Sequence, residues 1–87
     1  MRYEHKIRKK PLKFILRQDK IQQKRLLGAI DKLPLEGDIK RMAGFERVYR
    51  LRVGDYRVLY ELNDKGIDII EVDVFDADNR GQIYKQQ

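Results

Sequence analysis

The chain has 87 residues and carries 20 Lys+Arg against 14 Asp+Glu, a formal net charge of +6 with a pI near 9.7. That length suits one domain, spanning residues 1–87, with a small core. The absence of cysteine excludes a disulfide framework and a thiolate metal site.

Residues 2–7, "RYEHKI", alternate as a short first strand, with Tyr3, His5 and Ile7 on one side. The leading "MRYEHKIRKK" lacks the apolar core of a signal peptide. No apolar run approaches the roughly 18 residues needed to cross a membrane. A cytoplasmic location without a membrane partner is the expectation. Pro11 suits the first turn of a helix, where its missing N–H costs nothing. Leu12, Ile15 and Leu16 follow at helical spacing. Asp19 is a candidate N-cap for a second helix over about residues 20–33. Leu26, Leu27, Ile30 and Leu33 mark its buried stripe, and Pro34 stops it. The short connection predicts an antiparallel helical hairpin.

"LEGDIKRMAG" (35–44) reads as a connection. Three strands follow at about 45–52, 55–62 and 67–75, the last two joined by a turn at "NDKG". The order is β-α-α-β-β-β: an α+β fold with an N-terminal strand, a helical hairpin and a three-stranded antiparallel meander. A two-residue loop at Val53–Gly54 would set Arg52 opposite Asp55, Leu51 opposite Tyr56 and Arg50 opposite Arg57. Tyr49, Leu51, Tyr56, Val58 and Tyr60 then face the helices, and Arg50, Arg52, Asp55, Arg57 and Glu61 face away.

Like charges opposite one another weaken a sheet by up to ~1 kcal/mol. Local rules tend to fail where a function requires it. Residues 40–57 hold six basic side chains (Lys40, Arg41, Arg47, Arg50, Arg52, Arg57) against two acidic ones. The alternative is a solvated face with ion pairs Arg52–Asp55 and Arg57–Glu61. Arginine forks suit a phosphodiester, because each can give two parallel hydrogen bonds and stays charged. The net charge points the same way, although it would equally suit an acidic protein or an anionic membrane. The acidic residues show no metal-ligand spacing, so neither a metal nor another cofactor is expected. Tyr49, Tyr56 and Tyr60 read as core, and His5 as structural.

The segments "VYRLRVGDYRVLYEL" (48–62) and "NRGQIYK" (79–85) resemble the RelE/ParE toxin superfamily. So do "LKFILRQDKIQQKRLLGAIDKLP" (12–34) and "DIKRMAG" (38–44). The resemblance covers nearly the whole chain and implies a RelE-like, microbial-ribonuclease-like fold. It implies the toxin of a type II toxin–antitoxin system: a metal-independent endoribonuclease that cleaves mRNA in the ribosomal A site and arrests growth. It also implies a cognate antitoxin as partner, beside the ribosome and mRNA. By that resemblance Arg50, Arg52, Arg57, Arg80 and Tyr84 are the catalytic candidates. Lys40, Arg41 and Arg47 extend the basic surface as RNA-binding candidates. The C-terminal spacing also permits an alignment with Asp78, rather than Arg80, at the catalytic arginine. Some relatives carry a glutamate and a C-terminal histidine, but this chain has no histidine beyond His5. A ParE-like inhibitor of DNA gyrase without nuclease activity is the alternative, as is an inactive basic binding domain.

The chemistry sets its own limit. Guanidinium groups can stabilise a crowded phosphate but hardly accept a proton. Tyr84, Asp55 and Glu61 are the remaining candidate bases, with Asp55 and Glu61 reading first as a turn residue and an ion-pair partner. Tyr84 could instead stack a base. That inventory predicts weak cleavage of free RNA and strong cleavage on translating ribosomes.

Overall fold

The computed structural model describes residues 1–79. Strand β1 (Arg2–Ile7) leads into α1 (Lys9–Leu16) and α2 (Lys20–Asp31). Then come β2 (Asp38–Arg41), β3 (Val48–Val53), β4 (Tyr56–Gly66) and β5 (Ile69–Asn79). The strands form one sheet in the order β1-β5-β4-β3-β2. Strand β1 runs parallel to β5, and the other neighbours are antiparallel. The α+β fold is the one the sequence predicts, with one strand more.

That extra strand is β2, in the segment read as a connection. Its Ile39 lies opposite Leu51 and packs against the core. One apolar side chain in a polar stretch is a weak strand signal, and it becomes one only through pairing with β3.

The helices cover one face of the sheet. Ile15, Leu26, Ile30 and Leu33 meet Leu51, Val53, Val58, Tyr60, Val72, Val74 and Ala77 in the core. In α1 the buried side chains are Pro11 and Ile15, whereas Leu12 and Leu16 are exposed. In α2 the predicted stripe holds at Leu26 and Ile30, while Leu27 stays partly open to solvent. Asp19 caps α2 as expected, its Oδ1 accepting from the Gln22 N–H at 2.9 Å. The Tyr56 hydroxyl donates to Gln18 Oε1 at 3.1 Å and ties the interhelical connection to β4.

Two turns fall elsewhere than predicted. The β3–β4 loop is Gly54–Asp55, not Val53–Gly54, so Val53 lies opposite Tyr56 and Arg52 opposite Arg57. Val53 is 9% exposed within the core, and burying it outweighs leaving it in a turn. Gly54, at φ +59°, supplies the left-handed conformation that this tight loop requires. The shift in partners is two residues, so the paired side chains keep their predicted faces, while Asp55, expected on the outward face, lies in the loop. The segment "NDKG" continues β4, and the turn lies at Ile67–Asp68. Strand β5 likewise runs past residue 75 to Asn79.

Candidate nucleic-acid interface

Alternation places Arg50, Arg52 and Arg57 on the sheet face away from the helices, since they interleave with core residues Leu51, Val53 and Val58. The pairing makes a row across four strands: Asp38, Arg52, Arg57, Asp78. The next row is Lys40, Arg50, Leu59, Asp76. Two arginines therefore stand side by side with a carboxylate at either end. The directly opposed cations are Arg52 and Arg57, not Arg50 and Arg57.

The acidic ends offset part of the repulsion. Arg57 Nη2 donates to Asp78 Oδ2 at 2.8 Å. Arg50 Nη2 stands 4.0 Å from Asp38 Oδ1, the outer limit of an ion pair. These are not the pairs expected from sequence, Arg52–Asp55 and Arg57–Glu61. Nor is the row a loosely solvated face. Only 17% of the Arg50 side chain is exposed, and 33% of that of Arg57. The Nε atoms of Arg50 and Arg52 are sealed from solvent without a hydrogen-bond acceptor among the described residues. Such donors are costly to leave unmet, which fits a surface shaped for an anion.

A bulge in β5 puts Asp78 there. The register with β4 slips between Leu59 and Tyr60, so Phe75 is an extra residue between Val74 and Asp76. Strict alternation from Val72 and Val74 would turn Asp76 and Asp78 into the core. The bulge turns Ala77 inward instead and brings both aspartates to the arginine face. The pattern "VDVFDAD" (72–78), with its adjacent Val74 and Phe75, is the sequence signal for that break. Asp76 is paired with Lys10 at 3.4 Å.

Further along β5, Asp73 is 2% exposed, yet charged. Arg8 holds it with two hydrogen bonds, Nε to Oδ1 at 3.0 Å and Nη2 to Oδ2 at 2.7 Å. The Arg8 hydrogen bond keeps the Asp73 carboxyl below the ordinary aspartate range, and Asp73 raises Arg8 in turn. This pair anchors the start of α1 to the sheet.

The remaining basic candidates divide. Lys40 is exposed and lies opposite Arg50, beside the row. Arg41 lies opposite Tyr49, a register position on the helix-facing side. Arg47 is engaged by Asp64, at 3.1 and 3.4 Å, beyond the end of the row. Arg80 and Tyr84 lie outside the described residues. Among the described residues, no three His, Cys, Asp or Glu side chains come together as a metal site. None of the described helices is long and apolar enough to cross a membrane.

Comparison with known proteins bears on this geometry. A family model described as the ParE toxin of the type II toxin–antitoxin system parDE matches residues 5–78. The fold is similar to that in the RelB–RelE antitoxin–toxin complex from Methanococcus jannaschii, with TM-score 0.66 and 28% identity over 92% of this chain and 95% of that one. It is also similar to the RelE–RelB complex from Pyrococcus horikoshii OT3, with TM-score 0.70 and 32% identity over 94% of this chain and 99% of that one. No curated protein sequence matches the chain. With the helical hairpin, the five-stranded sheet and the family match over nearly its full length, this chain belongs to the RelE/ParE superfamily, the toxins of type II toxin–antitoxin systems.

Proposed function

We propose that the chain is a ribosome-dependent endoribonuclease that cleaves mRNA in the A site and stops translation. The observation that carries this reading is the clustering of Arg50, Arg52 and Arg57 on one helix-free face. Arginine donors fixed on strands are preorganised for the charge that builds on a phosphate during attack by a neighbouring 2′-oxygen. In this reading Arg50, Arg52 and Arg57 hold the scissile phosphate, and Lys40 extends the track. Arg80 and Tyr84 are proposed as the C-terminal catalytic pair.

The ribosome enters the proposal through what the row lacks. Guanidinium groups do not take the 2′-proton, and Asp78 is engaged by Arg57. Holding the 2′-oxygen in line with the phosphate is worth ~7–11 kcal/mol when the geometry is right, and a splayed codon would supply that alignment. The partner proposed for the free toxin is a cognate antitoxin, as in the RelB–RelE complexes. An acidic segment seated on the arginine face would neutralise it.

The test is induced expression followed by primer extension. Cuts positioned on codons are expected, with little cleavage of free RNA by the purified chain. Rapid cleavage of naked RNA would overturn the ribosome requirement. A gyrase-inhibiting reading has one observation in its favour, the match to a family model described as ParE toxin. Loss of supercoiling activity by gyrase, without mRNA cuts, would establish that reading instead.

A further inference from the structure

We infer that Asp78 is an internal counter-ion occupying the phosphate position of the arginine row, and that RNA binds by displacing it. This rests on the reading of the row as a phosphate-binding surface. Asp78 Oδ2 sits 2.8 Å from Arg57 Nη2, the distance a phosphate oxygen would take on the same donor. The two anions compete for one N–H.

The carboxylate is held incompletely. Asp78 Oδ1 is sealed from solvent and has no hydrogen-bond donor among the described residues. A buried acceptor left unmet works against the pair, and release of the side chain into water would satisfy it. At 32% exposure the side chain already borders solvent. The other end of the row repeats the arrangement more loosely, with Asp38 opposite Arg52 and 4.0 Å from Arg50. The arrangement does not suit a general base. One Asp78 oxygen is closed to a ribose hydroxyl, and the other already accepts a hydrogen bond from the Arg57 guanidinium.

The displaced carboxylate stays beside the row and repels the incoming phosphate. At about 6 Å and an effective dielectric between about 40 and 80, that repulsion corresponds to a roughly three- to tenfold loss of affinity. The experiment measures binding of a short single-stranded oligonucleotide with 2′-O-methyl riboses, which cannot self-cleave, by fluorescence anisotropy. The full chain is compared with Asp78→Asn, Arg57→Ala and Asp31→Asn. Asp78→Asn keeps the shape and should tighten binding by about three- to tenfold. Asp31→Asn removes the same charge from the exposed end of α2 and should change binding less than twofold. If the asparagine variant does not fold, Asp78→Ser carries the same expectation. Equal gains for Asp78→Asn and Asp31→Asn would overturn the inference and leave the row intact, provided Arg57→Ala still weakens binding. Weaker binding by Asp78→Asn would also overturn it, by showing that Asp78 holds Arg57 in place. An unchanged affinity for Arg57→Ala would sink the reading of the row itself.

Discussion

The arginine row makes a quantitative prediction about salt. If Arg50, Arg52 and Arg57 each neutralise one phosphate of a single strand, log Kd should change with log[salt] with a slope of about 2.1. Affinity should then fall about 18-fold between 50 and 200 mM salt. Arg57→Ala removes one contact from the centre of the row, so the slope should drop to about 1.4 and the loss over the same range to about sevenfold. The substitution also frees Asp78 from its 2.8 Å contact and leaves a carboxylate on the face, so affinity should fall at every salt concentration. Anisotropy titrations with an uncleavable oligonucleotide at four or five salt concentrations separate the two effects. Two parallel lines, offset but equal in slope, would refute the argument, since Arg57 would then touch no phosphate.

Other consequences follow from the packing. Ile15 is fully buried between α1 and the sheet, so Ile15→Ala should cost about 2–5 kcal/mol in urea unfolding. Gly54→Ala forces a side chain onto φ +59°, where its Cβ would meet the Arg25 guanidinium at 2.7 Å. A loss of about 1–2 kcal/mol is expected from the backbone, with the flexible Arg25 end moving aside. Burial, with a contribution from Tyr49, pushes the Tyr60 hydroxyl up to about 12 from 10.0. The unfolded chain loses that proton first, so stability is fully present below pH 10 and should fall by about 2–3 kcal/mol toward pH 12. Tyr60→Phe should flatten that decline, while a wild-type curve already flat there would contradict it. The opposite sign holds at Asp73, whose carboxyl lies below the ordinary aspartate value of 3.8. Its contribution is present above pH 3.8 and should be lost as acid titrates the pair with Arg8. Asp73→Asn should remove that part of the acid transition in thermal melts taken across the range.

The period-two pattern of "VYRLRV" and "YRVLY" was enough to assign the faces of β3 and β4. It survived a misplaced turn because the error was two residues, and alternation repeats every two. The Asp19 cap and the Leu26 and Ile30 stripe were legible for the same reason, since each is local to one helix. Asp78 was legible as a position of interest, where an alternative alignment sets it in place of a catalytic arginine. Its bond to Arg57 was not, because that depends on which residues pair across strands.

The sequence by itself determined that two helices precede a β-hairpin, which side chains of the hairpin face the core, and that its cations share one side. Each of those follows from periodicity within a short segment. Only the tertiary structure decided which arginine opposes which, that β1 lies parallel to β5, and that a bulge at Phe75 brings two aspartates to the cationic face. Those depend on what Val53, Ile39 and Ala77 gain by entering a shared core, a free energy set by contacts between segments far apart in the chain.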